Sequence, residues 1–149
     1  MLITTKTMCL IMGRDRKQQA DDIATGHLAY VPDGGSNLRL WSVDGEMAVE
    51  LFFTDLRKEK YTVRIAGMLA SRLHRAMTAY PDADRIALVT LENGNRFGLP
   101  ADQVDLTSGF SSGVPVRETL IVEVRNLRAR ITRMIEAASL IIGDADDAD

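Results

Sequence analysis

Short apolar runs, separated by turn residues, fill the first third of the chain. Each run is rich in strand-favouring residues and is bounded by residues typical of turns, which predicts short β-strands. Residues 46–53 alternate between an apolar face and a more polar one, as expected for a strand buried on one side. Asp44-Gly45, just before them, is typical of a two-residue hairpin turn. The predicted strands lie at residues 2–12, 27–31, 38–43 and 46–53.

The period of the pattern changes in the middle of the chain. Residues 61–65 alternate and predict one more strand. After them, apolar residues recur at helical spacing and predict a helix at residues 67–80. Pro81 follows directly, and a proline cannot continue a helix, so we expect the helix to end there.

An apolar strand and a hairpin follow this helix. Residues 86–91 are apolar on both faces, which is typical of an interior strand. Asn93-Gly94 predicts a tight turn into a return strand that begins near Phe97. Residues 107–115 are rich in glycine and serine and predict a flexible loop.

The most regular pattern lies near the C-terminus, where apolar residues are spaced alternately four and three positions apart. This spacing predicts an amphipathic helix at about residues 117–142, with a coiled-coil seam roughly three heptads long. Its start is open, because residues 120–124 also fit a strand. The acidic residues 144–149 predict a disordered tail. The seam consists of Leu120, Val124, Leu127, Ile131, Met134, Ala138 and Ile141.

Taken together, these elements predict a single α+β domain at residues 1–143. The 149 residues are enough for one domain with its own core. We expect a mostly antiparallel sheet, built from a β-meander and a hairpin, with one internal helix. The long amphipathic C-terminal helix completes this architecture.

The seam of the C-terminal helix has two interpretations. Its β-branched and leucine positions favour a two-stranded coiled coil, which makes the seam a homo-oligomer interface. Ile121, Ile135 and Ile142 widen the apolar stripe, as expected for a helix that packs on its own sheet. We expect a homo-oligomer formed through this helix, with packing inside the chain as the alternative.

Charge gives little guidance to partners. The last six residues carry four acidic groups, so the rest of the chain has a formal charge of +1, against −3 for the whole. A nearly neutral body carries no global field that would attract nucleic acid or a membrane surface. Basic residues nevertheless cluster locally, and arginines can grip phosphates through two hydrogen bonds. The candidates for an anionic ligand are Arg57, Lys58, Lys60, Arg64, Arg72, Arg75, Arg125 and Arg128.

Residue types that carry catalysis or bind metals are scarce. One cysteine and two distant histidines are too few for a Cys/His zinc cluster. Residues 109–113 match the G-x-S-x-G pattern of a serine nucleophile, but Pro115 follows them and both histidines precede them. A flexible loop explains this match better. The sequence therefore predicts no enzyme, no metal site and no cofactor.

These observations favour a binding protein over an enzyme. We expect a non-enzymatic, homo-oligomeric binding or regulatory module that acts through a protein partner or by sequestering a ligand. The alternative is a nucleic-acid or nucleotide binder that uses the arginine clusters. The chain shows no signal-peptide pattern and no apolar run long enough to cross a bilayer, so we expect a cytoplasmic protein without a membrane partner.

Overall fold

The computed structural model describes residues 1–34 and 38–147, with side chains as far as residue 139. Within these residues it has five α-helices and two antiparallel sheets, so the predicted α+β class is confirmed. The elements in chain order are β1 (Leu2–Thr4), α1 (Thr5–Met12), α2 (Arg16–Ala24), β2 (Leu40–Ser42), α3 (Glu46–Lys58), α4 (Val63–Ala79), β3 (Arg85–Leu91), β4 (Arg96–Pro100), a 3₁₀ turn (Ala101–Gln103), β5 (Phe110–Ser111), β6 (Val114–Glu123) and α5 (Val124–Asp147).

The larger sheet has the strand order β4-β3-β6-β5, and every pair in it is antiparallel. β3 is buried on both faces, as predicted for an interior strand. The predicted hairpin between β3 and β4 is also confirmed, since the Leu91 N–H donates to the Asn95 carbonyl at 2.8 Å. Its loop holds residues 92–94, one more than predicted, and Gly94 takes the positive φ of 88° that this turn needs.

Residues 46–53 begin α3, so the strand predicted there is wrong. Residues on several sides of this helix are buried, and an apolar segment buried all round loses the helical pattern of one apolar face. Asp44-Gly45 leads into the helix instead of a hairpin. The Ser42 hydroxyl accepts a hydrogen bond from the Glu46 N–H at 3.2 Å and so satisfies a donor of the first turn.

The strand predicted at residues 61–65 is wrong as well, because α4 already begins at Val63. Thr62 is its N-cap, with a side-chain oxygen that accepts a hydrogen bond from the Ile65 N–H at 3.2 Å. This cap outweighs the strand preference of the β-branched residues in the first turn. The helix ends just before Pro81, as predicted.

The predicted β-meander is replaced by helices and a two-stranded sheet. Of residues 2–12, only the first three form β1, because Thr4 caps α1 by accepting a hydrogen bond from the Thr7 N–H at 3.2 Å. Residues 27–31 form turns instead of a strand. In the predicted strand 38–43 only Leu40–Ser42 pairs, antiparallel to β1.

The C-terminal helix begins at Val124 and not near residue 117. Residues 117–123 belong to β6, whose backbone pairs with β3 as far as Glu123 opposite Arg85. The helix continues to Asp147, so residues 144–147 are helical and do not form a separate tail. Residues 148–149, the end of the predicted tail, lie outside the described residues.

Two hydrophobic clusters lie on opposite faces of the larger sheet. The main core fills the space between the helices and one face, and it contains the fully buried Trp41 and Phe53. Ile86 and Leu88 face this core from β3. The alternate residues of β3 face the other side, where Ala87, Val89 and Leu91 form a smaller cluster with Ala101.

Candidate anion-binding groove

Helix α4 lies close against strand β4 because Gly98 has no side chain. A Cβ atom at Gly98 would come within 2.8 Å of Ala76 Cβ and 3.2 Å of Leu88 Cδ2, so a larger residue would force a shift. The close approach brings one face of α4 next to Arg96, the first residue of β4. A groove with a volume of about 380 Å³ lies between the two elements.

Three arginines line this groove. Arg72 and Arg75 are three positions apart on α4 and therefore neighbours on one helix face. Arg96 reaches the same groove from β4. Arg75 and Arg96 are exposed, whereas only 8% of Arg72 is exposed. Nη2 of Arg72 donates a hydrogen bond to the Val89 carbonyl at 2.9 Å, which fixes this guanidinium against β3.

Positive charge accumulates in the groove. Burial, followed by the nearby charge of Arg96, lowers the pKa of Arg72 below its ordinary value, and Arg75 acts in the same direction. Glu118 on β6 opposes this effect but does not line the groove. No carboxylate is found among the described residues that line the groove. An anion bound there would therefore reduce the repulsion among the arginines.

Apolar side chains form the rest of the wall. Tyr80 is half-buried and lines the groove together with Met68. Phe97 borders the groove, but its side chain packs against the smaller cluster on the other face of the sheet. Nη1 of Arg96 donates to the Met68 sulfur at 3.4 Å, which holds the arginine over the groove. Apolar walls with a few polar groups, in a space of several hundred Å³, are typical of sites for small ligands.

Two of the basic residues predicted to contact an anion, Arg72 and Arg75, meet in this groove. The remaining candidates of the first cluster do not reach it. Arg57 and Lys58 line a separate depression, and Lys60 and Arg64 are exposed elsewhere.

The basic residues of the C-terminal helix also lie away from the groove. The side chain of Arg128 donates to two backbone carbonyls, that of Asp44 at 3.0 Å and that of Pro81 at 3.2 Å. It therefore ties α5 to two loops of its own chain. Arg125 is exposed near the start of the same helix. The second arginine cluster thus forms no common site with the first.

The predicted oligomer seam is divided between core and surface. Val124, Leu127 and Ile131 are buried in the main core, so the side chains of these three are covered within their own chain. Met134 packs against the same core, and Ala138 is half-buried. Leu120 belongs to β6 and is 39% exposed. The side chain of Ile141 lies outside the described residues.

A buried polar cluster, which the sequence did not predict, connects the N-terminal helices to α3. Nε of Arg14 lies 2.9 Å from Glu50 Oε1, and Nη2 of Arg14 donates to Asp22 at 2.6 Å. The N–H at Nε does not point at the Glu50 oxygen, so the first contact is an ion pair without an aligned hydrogen bond. The Tyr30 hydroxyl donates to the other oxygen of Glu50 at 2.6 Å.

Burial dominates the electrostatics of this cluster. It raises the pKa of Glu50, while the charge of Arg14 acts against it. Burial also raises the pKa of Tyr30, and the charge of Glu50 adds to that effect. The Cys9 thiol donates to Gln19 Oε1 at 3.1 Å, and burial raises its pKa too. The Cys9 thiol therefore stays protonated, and a protonated thiol is a poor nucleophile. The contacts of this cluster are suited to holding the helices together.

A further cavity, about 680 Å³, lies where the 3₁₀ turn meets the loop between α4 and β3. Its charged residues are three aspartates and Arg85, which pairs with Glu123 at 2.9 Å. Across the described part of the chain, no group of three His, Cys, Asp or Glu side chains is arranged to hold a metal ion. In the same residues, no helix is long and apolar enough to span a membrane.

Arg96 is the groove residue that sequence reasoning missed. A signal for it exists in the Asn93-Gly94 hairpin, which sets the register of β4 against β3. In that register Arg96 pairs with the buried Thr90, and it therefore lies on the sheet face that carries α4. The register of the hairpin therefore predicts that Arg96 reaches the side of the sheet on which α4 packs.

Neither the known protein families nor the curated proteins include a match to this chain.

Proposed function

We propose that this protein is a non-enzymatic binding module that takes up a small phosphate ester, such as a nucleotide, in the arginine groove. The observation that carries the proposal is the convergence of Arg72, Arg75 and Arg96 on a lining without a carboxylate. Clustered like charges reduce the stability of the folded chain, and a bound anion offsets that cost. Phosphate oxygens suit the paired N–H donors of guanidinium groups.

The size and the walls of the groove favour a small ligand over a nucleic acid. Its 380 Å³ is in the range of small-molecule sites, and the Tyr80 ring gives it apolar surface for a base or another flat group. A nucleic acid needs basic residues along an extended track. Arg57 and Arg128 each donate to backbone carbonyls of their own chain and lie outside the groove.

The residue types in the groove favour binding over catalysis. Arginine keeps its proton throughout the physiological pH range, so it is a poor general acid or base. The polar groups of the lining are guanidinium groups, the Tyr80 hydroxyl and backbone atoms. Such a set can recognise and neutralise an anion without transferring a proton.

The test is isothermal titration calorimetry of the full chain with pyrophosphate, ATP and adenosine. We expect pyrophosphate and ATP to bind and adenosine not to bind, because the phosphates supply the charge. ATP binds more tightly than pyrophosphate if the Tyr80 ring contacts its base. Raising the salt concentration weakens both, since the attraction is between charges.

Two variants and one control locate the site. Arg75→Gln and Arg96→Gln each remove an exposed guanidinium from the groove and are expected to weaken ATP binding at least tenfold, a loss typical of one charge-assisted hydrogen bond. Arg64→Gln removes a cation from the same helix outside the groove, and its affinity stays at that of the unmodified protein. Equal loss in all three variants, or no binding of any phosphate, would contradict the proposal.

A further inference from the structure

The outer edge of strand β6 is open along residues 117–123. β3 pairs with one edge of β6 from Val116 to Glu123. On the other edge β5 pairs only with Val114 and Pro115. Within the described residues, no strand pairs with the rest of that edge. Exposed strand edges of this length are templates for pairing with another strand.

The direction of the free hydrogen-bonding groups follows from the register of β3. The Leu91 N–H donates toward β4, and the Glu92 N–H donates to Pro115 on β6 at 2.9 Å. Directions alternate along a strand, so the even-numbered residues of β3 bond to β6. Their partners are Glu118, Leu120 and Val122. The N–H and C=O groups of the residues between them, Thr119 and Ile121, therefore point outward.

We propose that two copies of this chain form a dimer by antiparallel pairing of their β6 edges, centred on Leu120. In this register Thr119 of one chain lies opposite the partner's Ile121, so the outward N–H and C=O groups of both residues bond across the interface. The two-fold symmetry repeats each bond, as a closed dimer requires.

Charge complementarity selects this register. With Leu120 at the centre, Arg117 lies opposite the partner's Glu123, and the symmetry creates the same pair a second time. Within one chain Glu123 already contacts Arg85 at 2.9 Å and Arg117 contacts Glu118 at 3.2 Å, so the new pairs extend these exposed ion pairs across the interface. A shift of one residue toward the N-terminus sets Arg117 against the partner's Ile121, and a shift toward the C-terminus sets it against the partner's Arg125. Opposite charges directly across two strands stabilise the pairing, and like charges destabilise it.

Exposed apolar surface at the edge supports the same arrangement. Leu120 is 39% exposed, and the central pair would cover both copies of it. Ile121 and Val122 also line a small cavity of about 220 Å³ with Phe52 beside the edge. β5 and the start of α5 limit the pairing to residues 117–123, so the dimer joins the two larger sheets into one continuous sheet.

The test is sedimentation equilibrium of the full chain over a range of concentrations, with three variants. Thr119→Pro removes an outward N–H from an edge where proline is tolerated. We expect this variant to sediment as a monomer and to keep the circular dichroism spectrum of the folded protein. Arg117→Glu opposes two like charges and raises the dimer dissociation constant by about tenfold. The double variant Arg117→Glu/Glu123→Arg restores the opposite pairs between the chains and lowers the dissociation constant again, even though Glu123→Arg also removes the pair with Arg85 within each chain.

Each other outcome overturns the proposal. A monomer at all concentrations excludes the dimer. A dimer that Thr119→Pro and Arg117→Glu leave unchanged uses another surface, such as the end of α5. Loss of the dimer in Arg117→Glu without recovery in the double variant contradicts the register.

Discussion

Arg14 and Glu50 form an ion pair, with 2.9 Å between Nε and Oε1, at a point where 8% of the first side chain and none of the second is exposed. Arg14 lies between α1 and α2, and Glu50 lies on α3, so the pair joins the N-terminal helices to the rest of the core. The guanidinium also lies 5.6 Å from the centre of the Phe53 ring. One arginine thus combines ionic and aromatic contacts in the interior.

Replacing Arg14 with methionine is expected to destabilise the protein by about 3–5 kcal/mol, because it leaves the charges of Glu50 and Asp22 buried without their partner. Urea unfolding followed by circular dichroism measures this loss. Lys17→Met, which removes an exposed cation from α2, is the control and should change stability by less than about 0.5 kcal/mol. Equal effects in the two variants would show that the ion pair is not important for folding.

Glu50 is expected to make stability depend on pH in an unusual direction. Its pKa in the folded protein is raised above its ordinary value of 4.5 by burial, so the folded state keeps a proton that the unfolded state loses. The free energy of unfolding, measured relative to Glu50→Gln, is therefore highest at low pH. It falls as pH rises from about 4.5 to the raised pKa of the folded state and is constant above it.

The subtraction removes the titration of carboxylates that both proteins share. Urea midpoints of the two proteins, measured between about pH 3 and pH 8, give the difference in stability as a function of pH. This range of roughly five units includes the reference pKa. A difference that rises with pH would mean that the charge of Arg14 outweighs burial and that Glu50 titrates below its ordinary value.

Gly98→Ala is expected to destabilise the protein by about 1–3 kcal/mol, because the new Cβ would lie 2.8 Å from Ala76 Cβ and push α4 away from β4. The double variant Gly98→Ala/Ala76→Gly tests the cause. If the clash is between these two positions, Gly98→Ala costs less in the Ala76→Gly background than in the unmodified protein. Equal costs in the two backgrounds would place the strain elsewhere.

The sequence predicted the elements whose local signals agree with their environment. β3 is apolar on both faces because both faces are buried, and the Asn93-Gly94 hairpin follows from local turn chemistry. The end of α4 before Pro81 has an equally local cause. These three features account for the correct part of the fold prediction.

The errors arose where burial or capping overrode local preference. Residues 46–53 alternate like a strand, yet they form a helix buried on several sides, and there the spacing of apolar residues loses its information. Thr62 caps α4 through its side chain, a contact that the β-branched residues after it conceal. The heptad spacing also crosses from β6 into α5, because Leu120 lies in the strand and Val124 begins the helix.

The groove was predictable only in part. Arg72 and Arg75 are neighbours in sequence, so their common face follows from helical spacing. Arg96 reaches them through the sheet register and through the close approach at Gly98, and both depend on contacts between distant segments. Likewise, nothing in the sequence distinguishes Arg72, which is anchored to Val89, from the arginines that the structure leaves at the surface.

The most direct test of the anion groove measures the stability of Arg96→Gln with and without pyrophosphate, by urea unfolding at low salt. The account predicts that the variant is more stable than the unmodified protein without pyrophosphate, because one of the charges that lower the pKa of Arg72 is removed. Saturating pyrophosphate then stabilises the unmodified protein, by about 2.7 kcal/mol at a hundredfold excess over the dissociation constant, and the variant much less. A variant that is less stable without pyrophosphate, and gains as much from it as the unmodified protein, would contradict the account.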